Sequence, residues 1–387
     1  MKYSHLCLST IVGVALAQEL FDPRKYIQFD PRIPKDCSIF KPCTRDTLQF
    51  LSMLASFGGL QVGPEEVPQN GTVPPGSGKI KGRRCAFGDS LICMVVTPEN
   101  YDKSDATWGN GRFLSSYYNL TDPNNPLAKV LPLKAFPAQV LYYPLSPPDI
   151  KLPVIILNHF STTGLDPTVF PMLIGWAAHG FAVFVTGVDP SKTYSPQDHN
   201  EETTRMKRIV DAVIDLAASN ESSLDTTRIG VAGIAYGGRA AHEFAHDSRV
   251  KSLAMLTTRA YEGQTLTVAN STRDFKTPSA FFMGERGTTQ SKLTEKEFEA
   301  IPAGVPKWKG ILNTGDFGTY CQPYGGQFGI ASTNWWKWTL QGDSKAGEYF
   351  TKSGATNDGW QVFWEDLESF KVPNPLTPSA KLGSSVS

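Results

Sequence analysis

From residue 138 onward, short apolar runs alternate with stretches of helical periodicity, and this alternation restricts the fold more than any other feature of the chain. The runs at 139–143, 154–157, 181–185, 228–233, 250–256, 279–283 and 310–312 have the length of strands. Among and after them, 169–179, 201–218, 238–246 and 330–350 read as helices; in 201–218 the apolar positions include Ile209, Val213, Ile214 and Leu216. Strands that are apolar throughout are covered on both faces, and parallel strands need a crossover long enough to hold a helix. The expected class is therefore α/β, a mostly parallel sheet with helices on both faces, occupying 135–370. Upstream, 18–134 is rich in Pro and Gly and reads as an irregular region packed on that core. Within it, 67–79 reads as a loop, 45–57 as a short helix and 85–96 as a strand at a sheet edge. The segment 371–387 reads as a disordered tail, and no internal repeat is visible.

Composition narrows the class of protein without naming a chemistry. Of 387 residues, 40% are hydrophobic and 19% charged, with eight Trp and 22 Phe. That much apolar material offsets the chain entropy lost on folding and excludes a disordered protein. Lys plus Arg and Asp plus Glu both number 37, so no nucleic-acid partner and no polybasic membrane patch is indicated.

The first residues carry an address. Met1-Lys2, an apolar stretch from Leu6 to Ala17 and the ending Ala15-Leu16-Ala17 form the pattern of a secretory signal peptide over 1–17. The stretch is too short to span a bilayer, and the tail lacks the apolar end of a lipid-anchor signal. A protein of the secretory lumen or the outside, without a membrane anchor, is expected. Cys7 leaves with the signal, so Cys37, Cys43, Cys85, Cys93 and Cys321 remain; two bridges and one free thiol among them allow 15 arrangements. The local pairs Cys37–Cys43 and Cys85–Cys93 are the simplest, leaving Cys321 alone. No CxxC occurs and no His lies close to these cysteines, which argues against zinc. The sequons at Asn70, Asn119, Asn220 and Asn270 fit glycosylation along the same route.

Function should be decided at Gly233-Ile234-Ala235-Tyr236-Gly237-Gly238, which lies between an apolar strand and a helix of small residues. That is the setting of the nucleophile elbow, G-x-S-x-G. Leu152–Asn158 with His159-Phe160, then Ala178-His179-Gly180-Phe181-Ala182-Val183, resemble the oxyanion strand, first helix and following strand of α/β-hydrolases. Gly318-Thr319-Tyr320, Gly325-Gly326-Gln327-Phe328-Gly329 and Trp335-Trp336-Lys337-Trp338-Thr339-Leu340-Gln341-Gly342-Asp343 resemble the last part of secreted members related to dienelactone hydrolase, chlorophyllase and polyester hydrolases. The resemblance spans about 138–350 as a pattern of motifs. It implies the α/β-hydrolase fold, with Phe160, Ser161 and Tyr236 in the oxyanion region.

The resemblance stops at the catalytic triad. Ala235 stands where the pattern has Ser, and it has no oxygen to attack a carbonyl. Asp316 stands where the family's His is expected, and all six His lie at or before His246. Only Glu285 falls near the expected acid position. Without a nucleophile and a late base, such a site keeps roughly 10³–10⁴-fold of catalysis from binding and oxyanion contacts, far below a working esterase.

The favoured reading is therefore a non-hydrolytic protein that acts on or binds a small, largely apolar molecule. In that reading the old pocket does the work of a lyase, isomerase or cyclase, needs no cofactor, and has His159, Tyr236 and Asp316 as candidate proton-transfer groups. The alternatives are a non-catalytic pseudohydrolase holding a ligand or partner, and a metal-dependent hydrolase using His242-Glu243-Phe244-Ala245-His246, which matches H-E-x-x-H. The metal reading lacks a later His for a third ligand and places the motif on a helix expected to lie under the sheet. Gly88-Asp89-Ser90-Leu91 matches the signature of another hydrolase family, but that family's late D-x-x-H is missing. Trp335, Trp336 and Trp338 read as packing residues.

Overall fold

The computed structural model describes residues 60–66, 83–87, 91–95, 111–113, 115–120, 138, 140–144, 150–159, 169–186, 199–218, 223–235, 237–258, 275–284, 289–312, 319–320 and 323–377. Two sheets are present among them. A small antiparallel sheet contains β1 (Leu60–Glu66), β2 (Arg83–Phe87) and β3 (Leu91–Val95), in that order. The expected single strand over 85–96 is thus two strands, because Gly88-Asp89-Ser90 in its middle are turn formers.

The large sheet has nine strands: β4 (Ser115–Asn119), β5 (Val140–Pro144), β6 (Leu152–Asn158), β7 (Ala182–Val185), β8 (Leu224–Ile234), β9 (Val250–Leu256), β10 (Ser279–Met283), β11 (Lys307–Ile311) and β12 (Gln361–Glu365). Their spatial order is β12-β11-β10-β9-β8-β6-β7-β5-β4. The six from β11 to β7 run parallel, while β12, β5 and β4 pair antiparallel at the two sides. The mostly parallel α/β class expected from the alternation is what the chain adopts. Strand β4 lies upstream of the boundary expected at 135.

Strands β6, β7 and β10 are buried over their whole length, β6 at all seven positions, which is why they read as unbroken apolar runs. Helices α1 (Phe170–Ala178) and α5 (Gly326–Gln341) cover one face with Met172, Leu173, Trp176, Phe328 and Trp335. Helices α2 (His199–Ala218), α3 (Gly237–His242) and α4 (Thr289–Ala300) cover the other with Met206, Ile209, Ala240, Ala241 and Phe298. Trp335 and Trp336 are wholly buried and Trp338 nearly so; the indole of Trp335 donates to the Leu253 carbonyl at 3.0 Å. They are packing residues, as their pattern suggested.

Several element boundaries differ from the expected ones for local reasons. The helix expected over 330–350 is two: Gly342 ends α5 in the left-handed region (φ 76°), and Asp343 caps α6 (Ser344–Thr351) by accepting from the Ala346 amide at 3.1 Å. A short α7 (Gly354–Asn357) follows. The helix expected over 238–246 is α3 followed by a 3₁₀ turn, Glu243–His246. Strand β11 starts before the expected 310–312, and Lys307 and Lys309 hide it because they are buried. Lys307 Nζ donates to the carbonyls of Phe298 and Ile301 at 3.1 Å and faces Glu365 at the same distance, so a lysine fits a strand start. In 371–377, Leu376 packs on the α2–α4 side of the core, and a side chain at Gly342 would meet the backbone of Pro373 and Asn374.

Candidate functional site at the carboxyl ends of the strands

In a parallel sheet the ligand crevice forms where neighbouring strands send their connections to opposite faces. Here that point lies between β6 and β8: β6 continues into α1 on one face, and β8 into α3 on the other. Ala235 follows β8 at this point, and Asn158 and His159 end β6 and follow it.

Ala235 has φ +50°, a conformation an L-residue adopts at a cost of roughly 1–2 kcal/mol. Its amide donates to the Leu256 carbonyl at 3.1 Å and its carbonyl accepts from the Gly238 amide at 3.2 Å, which holds a sharp turn from strand to helix. The turn closes tightly on its surroundings. A Cβ on Gly237 would run into the Asn158 carbonyl, and one on Gly238 into the Thr258 side chain. These glycines let α3 start against the ends of β6 and β9.

A buried polar network holds the β6 side of the crevice. Asn158 Nδ2 donates to the Gly237 carbonyl at 3.3 Å and to Glu202 Oε2 at 3.4 Å, while Asn158 Oδ1 accepts from Thr186 Oγ1 at 2.6 Å. One amide thus ties β6, the end of β7, α2 and the elbow together. Glu202 is only 4% exposed. Its sequence signal was readable, because it shares a helical stripe with the buried Met206, Ile209 and Val213.

Thr257, just after β9, has φ +43°, an outlier for a β-branched residue. Its amide donates to the Phe282 carbonyl at 2.7 Å, and its hydroxyl shares a 2.6 Å hydrogen bond with the buried Tyr320. The next residue, Thr258, is 8% exposed, and its Oγ1 has no hydrogen-bond partner among the described residues. Strained backbone and an unsatisfied hydroxyl thus lie side by side after β9. Nothing in the sequence marks Thr257 or Thr258, since threonine at a strand end normally keeps φ negative.

Of the three candidate proton-transfer residues, His159 is at this point, buried to 3% exposure. Tyr236 and Asp316 lie outside the described residues, as do Phe160, Ser161 and Glu285. The same holds for Cys37, Cys43, Asn70, Asn220 and Asn270, while Asn119, Cys85 and Cys93 lie on described strands.

The H-E-x-x-H residues sit on the α2–α4 face. His242 is buried, edge-on to Phe275 and Phe281, with Nε2 3.7 Å from Glu297 Oε2. Glu243 and His246 are exposed, and His246 meets the Phe275 ring. Among the described residues no three His, Cys, Asp or Glu side chains are grouped to hold a metal ion. Burial pushes the Glu297 carboxyl up to about 8, the Arg239 charge offsetting part of the rise. No described helix is long and apolar enough to cross a membrane.

Chemically, the crevice has the methyl group of Ala235 in a strained turn after β8, with an imidazole following the neighbouring strand β6 and an unsatisfied hydroxyl following the neighbouring strand β9. No protein family matches this sequence, and no curated protein matches it either.

Proposed function

We propose that this chain is a secreted member of the α/β-hydrolase class whose nucleophile has been replaced, and that it binds or transforms a small, largely apolar molecule without hydrolysing it. The observation that carries the reading is Ala235: a non-glycine residue held at φ +50° between strand and helix, where the switch point of the sheet opens. An ordinary strand-to-helix turn with no use for a side chain there would relieve that strain with glycine. The strand order, with its antiparallel first pair and central parallel block, supports the same fold.

Without an oxygen at 235, and with every His at or before 246, the two-step acyl transfer of a serine hydrolase has neither its nucleophile nor its base. What remains is positioning and proton transfer. His159, buried just after β6, supports this reading, with Tyr236 and Asp316 as its proposed partners in lyase, isomerase or cyclase chemistry.

The test uses the secreted protein with short- and medium-chain nitrophenyl esters, alongside a panel of small apolar metabolites followed by mass spectrometry. Ester turnover is expected to stay within roughly 10³–10⁴-fold of the rate without protein, far below a working esterase, and values of about 1 s⁻¹ or more, ordinary for enzymes, would overturn the proposal. For any metabolite that is turned over, His159→Ala, Tyr236→Phe and Asp316→Asn are compared. Full activity in all three would remove the proton-transfer roles, and a ligand-induced rise in unfolding temperature without turnover would leave a binding protein.

A further inference from the structure

We infer that strand β12 is the contact surface for a second copy of this chain, joined edge to edge as a two-fold antiparallel pair centred on Phe363. β12 is the last strand of the nine, and no strand lies beyond it among the described residues. Sheet edges invite further pairing, and proteins commonly guard them with a bulge, a proline or a lysine. β12 has none of these. It pairs with β11 at five successive positions without a register shift, and its sequence is Gln361-Val362-Phe363-Trp364-Glu365. Its one charge, Glu365, lies at the strand end and faces Lys307 at 3.1 Å. Trp364 is 45% exposed and is, with Val372, one of two large hydrophobic side chains left open among the described residues. The chain that follows does not continue along this edge. Asp366, at φ +56°, turns it to the buried Leu367, and Pro373 and Asn374 lie against Gly342 at the end of α5.

The strand matches itself in one register. In a two-fold contact the same patch serves both copies, so residue i meets j and j meets i. With the axis at Phe363, that ring faces its own copy on the α2–α4 side of the sheet, where Phe363 already packs. On the α1–α5 side, where Val362 packs, Trp364 faces the partner's Val362. Aromatic–aromatic and aromatic–β-branched pairs are favourable across strands, and Glu365 meets the partner's Gln361 rather than a like charge. An axis at Trp364 would set Phe363 against Glu365, and one at Val362 would put Trp364 beyond the end of the facing strand. A strand of 5 residues makes a small interface, below about 1,200 Å², so the dimer is weak and exchanges with monomer. Nothing in this contact depends on the chemistry of the crevice.

The full chain is followed by sedimentation velocity from low to high micromolar concentration. The expected result is a rise from the mass of one chain towards that of two, which Trp364→Lys abolishes. Because that side chain is exposed, the variant should keep the wild-type circular dichroism and unfolding midpoint. Phe363→Cys places two thiols on the axis at a Cα separation of about 4.5 or 5.5 Å, within the span of a disulfide, so mild oxidation should link it into dimers faster than wild type. Gln361→Cys, whose counterpart is the partner's Glu365, should link no faster than wild type. The mass of one chain at every concentration, a dimer that survives Trp364→Lys, or equal linking of the two cysteine variants would overturn the proposal.

Discussion

Two residues at the crevice store free energy that a stability-driven fold would release, and both make predictions. Ala235→Gly removes a left-handed L-residue but loosens the unfolded chain, so the net expectation is a gain of about 0.5–1 kcal/mol, read from denaturant midpoints. A loss would mean that the turn is not held at positive φ in solution. Thr258→Val keeps the methyl that meets Gly238 and deletes the unsatisfied hydroxyl, and should stabilise the fold by about 1 kcal/mol. Thr186→Val acts in the opposite direction: it leaves Asn158 Oδ1 without its 2.6 Å donor in a buried place, at a cost of about 1–3 kcal/mol. A neutral result would show that water or another group reaches that oxygen. Ala235 was legible in the sequence as the alanine at the centre of a glycine-flanked strand-to-helix turn. The strain at Thr257 was not, because backbone conformation there is imposed by hydrogen bonds to β10 and Tyr320, which are distant in the chain.

At the scale of elements, helices α1, α3 and α4 give stability a pH dependence with two opposed parts. Glu297 on α4 binds its proton more tightly folded than unfolded, so stability falls as pH rises from about 4.5 to about 8. His179, at the end of α1, is pulled down to about 4, by burial first and then by the Lys337 charge, so stability rises from about 4 to about 6.5. The two oppose each other at acid pH; of this pair, Glu297 alone acts above 6.5. The expectation is a decline in unfolding free energy from pH 6.5 to 8, with a slope of at most about 1.4 kcal/mol per pH unit from this group. Glu297→Gln should flatten that decline, and an unchanged slope in denaturant titrations would place its cause elsewhere. Element boundaries were legible where turn chemistry sits in the sequence, as at Gly342-Asp343. They were missed where burial of polar residues disguised a strand, as at Lys307 and Lys309, whose ammonium groups are matched by partners on α4 and β12 or by the Phe298 and Phe363 rings.

For the whole molecule, residues 371–377 reach from the end of α5 at Gly342 to the α2–α4 side of the core. A chain ending at Phe370 loses the Leu376 contact and the cover over Gly342, and should unfold at lower denaturant by about 1–2 kcal/mol. Equal midpoints would mean that 371–377 adds nothing. The α/β class, the parallel core, the glycine-rich turn at 233–238, the alanine at 235 and the absence of His after 246 were readable from the chain alone, because periodicity, glycine spacing and residue identity are local properties. Packing, not local pattern, sets β6 and β8 side by side at a switch point, joins Asn158, Thr186 and Glu202 in one network, and gathers strain at Ala235 and Thr257. Those features come from contacts between strands far apart in the chain, and their energy depends on which groups the packed sheet shields from water.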